Sequence, residues 1–170
     1  MKIIQKGFTV LELMVTLTIV TILLTVAVPS FNSMLLDKRI VGAAEKMKAD
    51  MEWARTTAIK NNSNIIMSTS ITAPSWCYGF SDNGVACDCT IADDCTVEGI
   101  TREYDETLYG GTLLAPDGVF NITFLPRGIL AAPLANVLTM TLNGRTANIS
   151  VSRLGRGKVC SDSLSQFNNC

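Results

Sequence analysis

An apolar run near the N-terminus constrains what this chain can fold into more than any other feature. From Phe8 to Val28 every residue is apolar or threonine, with the exception of Glu12. A helix over this span is about 30 Å long, which matches the hydrocarbon thickness of a bilayer. The sequence therefore predicts a membrane-spanning helix. A carboxylate inside such a helix costs on the order of 2.5–3.5 kcal/mol on insertion scales, so Glu12 requires a partner or a function.

Three interpretations of this run compete. A secretory signal peptide would use Lys2 and Lys6 as its positive region, but its apolar core is usually only about 7–15 residues long. A plain membrane anchor would leave Glu12 unexplained. In the third interpretation, the segment Gly7-Phe8-Thr9-Val10-Leu11-Glu12 resembles the processing site of type IV pilins and of the related pseudopilins of type II secretion. We adopt the third, because the motif stands at the expected position in a chain of this length.

The resemblance implies roles for three residues. In this family a prepilin peptidase cuts after the glycine, here Gly7, and methylates the new N-terminus, here Phe8. It also implies that Glu12 meets the N-terminal amine of a neighbouring subunit, so that assembly neutralises the charge. The physics agrees, because a paired carboxylate costs less in a membrane than a lone one. Pro29 falls where pilins often carry a proline that distorts the helix.

Six cysteines, all beyond the apolar run, indicate disulfide bonds. The two N-terminal lysines place the following domain on the far side of the membrane, in an oxidising periplasm. The cysteines are Cys77, Cys87, Cys89, Cys95, Cys160 and Cys170. Six cysteines allow 15 pairings, and closeness favours a bond between Cys160 and Cys170. Cys87 and Cys89 are too close for an easy mutual bond, so each would join one of the remaining two.

Charged residues after the run are segregated although the net charge is only −1. Eight acids and a single base lie between Ser70 and Pro116, whereas bases dominate after Asp117. Solvated surface is the default interpretation of the acids. A zinc site is disfavoured because Cys87-Asp88-Cys89 is not a C-x-x-C pair, and the neighbouring acids lack the calcium-loop pattern. We expect no metal and no other cofactor.

The residues after Pro29 predict an amphipathic helix that ends near Asn61-Asn62, so that one long helix, kinked near Pro29, leaves the membrane. Its apolar stripe has helical spacing, with steps of three and four residues. The stripe consists of Ile40, Ala44, Met47, Met51, Ala54 and Ala58. The charges fall on the other faces: Asp37, Lys38, Arg39, Glu45, Lys46, Lys48, Asp50, Glu52 and Arg55. The end of this helix, Glu52–Asn62, resembles the A-R-x-x-A-I-x-x-N segment of pseudopilin H and its minor-pilin relatives.

Strands are predicted beyond Asn64, which makes the fold class α+β: a long N-terminal helix packed against a β-rich antiparallel domain. Short runs rich in β-branched and aromatic residues begin at Ile65, Trp76, Phe120, Val137 and Ala147. Asn143-Gly144, between the last two runs, predicts a tight hairpin turn. Phe124–Gly128 breaks a strand and also resembles a feature of the subgroup. Ser81–Gly111 has no period and predicts a surface excursion held by disulfides.

The chain lacks the usual catalytic signals. It has no histidine, which removes the commonest general base and metal ligand. Phosphate-binding glycine loops and the nucleophile elbow are also missing from the sequence. We therefore interpret the chain as a protein that is not an enzyme.

A basic segment near the C-terminus allows two interpretations. Arg153, Arg156 and Lys158 fall close together beside flexible glycines, where they could follow a phosphate backbone. Gly155-Arg156-Gly157-Lys158 resembles the G-R-x-R segment associated with DNA capture in minor pilins of natural transformation, although lysine replaces the final arginine and loses its bidentate fork. The alternative is a structural interface with the next subunit. No aromatic residue is interleaved, so base stacking is not predicted.

These observations predict a four-part chain and a non-catalytic function. The parts are a cleaved leader over 1–7, a membrane and assembly helix over 8–29, its amphipathic outer half over 30–62, and a β-rich domain over 63–170. The resemblance implies a minor pilin that joins the initiating or tip complex of a type IV pilus; the alternatives are a DNA-binding minor pilin for DNA uptake and a type II secretion pseudopilin. The partners would be other pilins through the N-terminal helix, the inner membrane before assembly, the prepilin peptidase and, in the first alternative, DNA. The protein would cross the inner membrane once, hold its domain in the periplasm and end in the extracellular pilus.

Overall fold

The structure is a computed structural model that describes residues 7, 9–116, 118–131 and 138–170, without the side chains of residues 26 and 29. The chain divides into two units, Met1–Leu36 and Asp37–Cys170. The helix α1 (Val10–Asn61) contains the described helical residues of the first unit. Its residues from Asp37 onward are the first element of the second unit. The predicted end of this helix near Asn61 is confirmed.

The first unit exposes its apolar side chains. From Val10 to Leu35 its described large apolar residues are between 40% and 77% exposed. By length and composition, α1 is the one helix in the described part of the chain that could cross a membrane. Exposed apolar surface of this extent requires either lipid or other apolar helices around it.

The second unit packs the outer part of α1 against two four-stranded sheets. Every residue of the predicted stripe, from Ile40 to Ala58, is at most 1% exposed. The stripe therefore forms one side of the core, as its period predicts.

All strand pairs that the structure describes in the second unit are antiparallel. The first sheet has the order β5-β2-β1-β7 and the second the order β10-β9-β8-β6, while β3 and β4 form a separate pair. The strands are β1 (Ile65–Thr72), β2 (Ser75–Ser81), β3 (Thr96–Val97), β4 (Ile100–Thr101), β5 (Glu103–Asp105), β6 (Leu113–Ala115), β7 (Gly118–Phe124), β8 (Leu138–Leu142), β9 (Arg145–Val151) and β10 (Gly157–Cys160). The α+β class, with a long helix and antiparallel sheets, is confirmed.

Local predictions are confirmed where turn chemistry decides them. Leu142 pairs with Arg145 across the predicted Asn143-Gly144 turn, and β7 ends at Phe124 as the following proline and glycine predict. The predicted strand start at Val137 lies outside the described residues. Strands β6 and β10 were not predicted, and the excursion after Ser81 contains three short strands and a 3-10 helix, Glu106–Tyr109.

Asp50 is an exception among the charges predicted on the faces away from the apolar stripe, because it is buried. Asp50 is 8% exposed and accepts a hydrogen bond from the hydroxyl of Tyr78 on β2, at 2.8 Å. Its second carboxylate oxygen pairs with Lys46, one turn earlier in α1. Lys46 also lies over the ring of Tyr104, 4.2 Å from its centroid. A buried carboxylate is tolerated here because both of its oxygens have a donor.

Candidate functional site

The predicted processing and assembly residues lie at the start of α1. Gly7 is exposed and precedes the helix, while Phe8 lies outside the described residues. Glu12 is exposed in the first helical turn. Its backbone N–H donates to the Thr9 hydroxyl at 3.2 Å, so Thr9 caps the helix. A threonine three residues before a glutamate is a capping-box pattern, which the sequence interpretation missed.

This cap gives Glu12 a second physical role. An acid in the first turn is stabilised by the positive end of the helix dipole, typically by about 0.3–1 kcal/mol at an exposed position. That gain is smaller than the cost of placing a carboxylate in lipid. The cap therefore helps to start the helix but does not by itself account for an acid in an apolar run.

The six cysteines form three disulfides. Cys160 bonds Cys170, which is the pair that closeness predicts. Cys77 bonds Cys89 and Cys87 bonds Cys95, so Cys87 and Cys89 find separate partners as expected. The second bond packs on β2 beside Gly79, where a Cβ atom would lie 2.3 Å from Cys95 Sγ. Only glycine leaves room for the disulfide at this position.

The acids of the excursion hold its backbone in place, which the default of solvated surface did not predict. Asp82 accepts from the N–H of Glu98 at 2.8 Å, and Glu103 accepts from the N–H of Cys95 at 2.8 Å. Glu98 in turn accepts from the Asn61 side chain at 2.8 Å, which ties the excursion to the end of α1. These carboxylates act as acceptors for a segment with little regular structure. Among the residues that the structure describes, no three acids or cysteines form a group that could hold a metal ion.

The structure brings the three predicted basic residues together on one hairpin, which we call the basic hairpin (Ser152–Lys158, joining β9 to β10). Arg153, Arg156 and Lys158 are all exposed. None of the three has an acidic partner within salt-bridge distance in the described part of the chain. The hairpin is closed by hydrogen bonds from the Gly155 N–H to the Ser152 carbonyl at 2.8 Å and from the Ser152 N–H to the Arg156 carbonyl at 3.0 Å.

The glycines of the basic hairpin are tightly packed, so the expectation of flexible glycines is wrong. Gly155 has a φ of +67°, and a Cβ atom there would lie 2.8 Å from Arg55 Cδ on α1. At Gly157 a Cβ atom would lie 3.0 Å from Lys48 Cγ. The hairpin can approach α1 this closely because neither glycine carries a side chain.

Arg55 also contacts the turn that follows β7. Its Nε donates to the Gly128 carbonyl at 2.9 Å, and a Cβ atom on Gly128 would lie 3.3 Å from Arg55 Nη2. The Leu130 N–H donates to the Arg153 carbonyl at 3.1 Å, which links this turn to the basic hairpin. Arg55 therefore lies between two glycine turns. The sequence interpretation placed Arg55 among the charges on the other faces of α1 and in the family motif, since nothing local indicates contacts so distant in the chain.

Comparisons with known proteins agree with the N-terminal processing motif and with the resemblance to pseudopilin H. A family model described as "Type II transport protein GspH" matches residues 43–155, and a model of the prokaryotic N-terminal methylation motif matches residues 4–28. The pilin-like protein PilA1 of Thermus thermophilus is 27% identical over 161 residues, which cover 91% of this chain and 98% of that protein.

Solved structures of a type IV minor pilin, FimU of Pseudomonas aeruginosa, are similar at 18% identity. One crystal form has a TM-score of 0.45 and covers 69% of this chain and 90% of its own. A second crystal form has a TM-score of 0.48 and covers 72% and 88%. The assignment of family rests on the sequence models, of which the first spans more than half of the chain. The chain belongs to the GspH family of type II transport proteins, within the type IV pilin-like class that carries an N-terminal methylation motif.

Proposed function

We propose that this protein is a non-catalytic subunit of a type IV pilus, a minor pilin that joins the initiating or tip complex. The observation that carries the proposal is the start of α1, where an exposed apolar helix contains one carboxylate, Glu12, in its first turn. Lipid alone would disfavour that carboxylate. A neighbouring subunit that offers a cationic amine would favour it, since pairing offsets the cost of desolvation.

Processing at Gly7 would create this amine. In the proposal the prepilin peptidase cuts between Gly7 and Phe8 and methylates Phe8, as the methylation motif over residues 4–28 implies. Mass spectrometry of the membrane form should find a mature chain that begins at a methylated Phe8. An N-terminus at Phe31 would indicate a cleaved secretory signal instead. Replacement of Gly7 by a bulky residue should leave the precursor uncut.

Glu12→Gln is the variant that tests assembly. It keeps the size of the side chain but removes the charge, so the helix should insert into the membrane at least as readily as the native one. Incorporation into sheared pili, measured by immunoblot against the membrane pool, should nevertheless fall strongly. Glu12→Asp, which keeps the charge, is the matched control. Normal incorporation of Glu12→Gln would contradict the proposed pairing.

A pseudopilin of type II secretion would use the same helix and the same carboxylate. The description of the matching family names type II transport, which supports this second candidate. Deletion of the gene separates the two: loss of surface pili with normal secretion supports the pilus, and loss of secretion with normal pili supports the pseudopilus.

DNA binding by the basic hairpin is a further candidate, favoured by three exposed cations without acidic partners in the described chain. Its test is the anisotropy of a labelled duplex titrated with the full chain in detergent micelles. With three phosphate contacts, log affinity should fall with log salt at a slope of about −2.7. Replacement of Arg153, Arg156 and Lys158 by glutamine should abolish binding, whereas Lys38→Gln on α1 should not. No binding at low salt would exclude this candidate.

A further inference from the structure

We propose that the basic hairpin is one part of a larger anion-binding surface, in which Arg55 is the positioning residue and Arg127 supplies a fourth phosphate contact. The surface combines three segments: the end of α1, the turn Leu125–Gly128 and the basic hairpin. Its ligand is the phosphate backbone of a nucleic acid, so this inference rests on the DNA-binding candidate above. It goes further because it assigns roles to two residues outside the C-terminal segment.

The contacts of Arg55 carry the positioning role. Its side chain is half-buried and lies between Gly128 and Gly155, with one hydrogen bond to the Gly128 carbonyl at 2.9 Å. Both glycines have positive φ, +73° and +67°, and the space for a Cβ atom at each is already taken by Arg55 or Ile59. The two turns are therefore shaped around this one side chain.

The turns are also joined to each other. A Cβ atom on Gly155 would lie 3.1 Å from the Gly128 carbonyl oxygen, and the Leu130 N–H donates to the Arg153 carbonyl. These contacts place the turn that contains Arg127 against the hairpin that contains Arg153. Arg127 is exposed and, like the cations of the hairpin, has no acidic partner within salt-bridge distance in the described residues.

The electrostatics of the surface favour an anion. Glu52, on the same part of α1, pairs with Lys48 at 3.9 Å, so the two contribute little net charge. Lys48 packs against Gly157 of the hairpin. The exposed cations of the surface are Arg127 and the three of the hairpin, which a polyanion can neutralise together with release of its counterions.

The apolar residues between the cations limit the mode of binding. Ile59, Ile129 and Leu154 are 46%, 36% and 56% exposed, and each stands beside one of the contacts described above. Aliphatic side chains do not stack on bases as aromatic rings do, and the part of α1 in this surface is packed against the two turns, so it is not free to enter a groove. The expected complex therefore uses backbone phosphates and depends little on sequence.

The experiment tests the positioning role of Arg55 separately from the phosphate contact of Arg127. Arg55→Gln removes the hydrogen bond to Gly128, so the N–H groups of Leu130 and Gly155 should exchange with solvent about tenfold faster or more, as measured by NMR on the full chain in micelles. Arg55→Lys should give an intermediate rate, because lysine keeps the charge but loses the fork. Arg39→Gln is the matched control, since Arg39 lies on the same helix beside Gly110.

Arg127→Gln tests the added contact on the same preparation. The native chain should show a salt slope of about −3.6 instead of about −2.7, and Arg127→Gln should flatten it by about 0.9 while leaving amide exchange unchanged. Arg55→Gln should weaken binding at every salt concentration. Retention of the three disulfides verifies the fold of each variant.

Each outcome decides one part of the inference. Unchanged exchange in Arg55→Gln would overturn the positioning role whatever the DNA result, and an unchanged slope in Arg127→Gln would overturn the fourth contact. If the native chain binds no duplex at low salt, the DNA-binding candidate fails and the anion surface with it, while exchange alone still decides whether Arg55 holds the turns.

Discussion

The bond from Tyr78 to Asp50 offers the sharpest test of how the second unit is held together. Tyr78→Phe removes one hydroxyl and leaves a carboxylate that is 8% exposed with one donor fewer. The ring keeps its stacking partners, with centroids 6.2 Å from Trp76 and 5.0 Å from Tyr104. The variant therefore removes the bond to Asp50, and a longer contact of 3.5 Å with the Tyr109 hydroxyl, without removing the ring.

The magnitude follows from the charge and burial of Asp50. A hydrogen bond to a charged group is worth about 1.5–3 kcal/mol, whereas the pair with Lys46, which is partly exposed, is worth less. For a chain of this size that loss lowers the Tm by roughly 3–12 °C. The assay is thermal unfolding of the full chain in micelles, followed by near-ultraviolet circular dichroism.

Tyr104→Phe is the matched control, because no hydrogen bond of its hydroxyl links it to Asp50. It should change the free energy of unfolding by no more than about 0.5 kcal/mol. Asp50→Ala completes a double-mutant cycle, in which the double variant with Tyr78→Phe should cost less than the sum of the single variants. If Tyr78→Phe is as stable as the native chain, the reasoning about Asp50 is wrong.

Alkaline pH gives an independent test of the same contact. Burial raises the pKa of Tyr78 far above its ordinary value of 10.0, and the charge of Asp50 raises it further. The unfolded tyrosine therefore loses its proton first, and its contribution to stability, complete below about pH 10, declines as the pH rises above that value. Phenylalanine cannot ionise, so Tyr78→Phe should lose less stability between about pH 10 and 11 than the native chain does.

Three further predictions concern the excursion and the C-terminus. Gly79→Ala should destabilise the domain by about 1–3 kcal/mol or prevent closure of the neighbouring disulfide, because its Cβ atom would lie 2.3 Å from Cys95 Sγ; a thiol count and a melting curve decide, and an unchanged Tm would contradict it. Loss of the Cys160–Cys170 bond by a double serine variant should cost about 2–3 kcal/mol in chemical unfolding, and an unchanged midpoint would show the bond to be dispensable. The hydrogen bond from Asn61, with the charge of Lys60, lowers the pKa of Glu98 below its ordinary value of 4.5. The stability that ionised Glu98 contributes is therefore present above about pH 4.5 and is lost as the pH falls through its lowered pKa. Glu98→Gln should flatten the acid limb of the curve of stability against pH.

Local signals in the sequence determined much of the fold. The helical spacing from Ile40 to Ala58 placed one side of the core, because period alone decides which residues share a helix face. Asn143-Gly144 determined the hairpin between β8 and β9, since few other dipeptides adopt that turn easily. The short separation of Cys160 from Cys170 favoured their bond. Each of these depends on residues that are close together in the chain.

Only the tertiary structure decided what depends on distant residues. From the sequence, Asp50 is one more charge on the outer faces of α1. In the structure it is buried and accepts a hydrogen bond from Tyr78. Arg55 is likewise only one of these charges in the sequence, whereas in the structure it packs between two glycine turns. Strands β6 and β10 are too short to carry a period and form because β8 and β9 offer them an edge. The role of a charge, a glycine or a three-residue strand depends on its neighbours in space. Contacts between residues so distant in the chain leave no pattern in a single sequence.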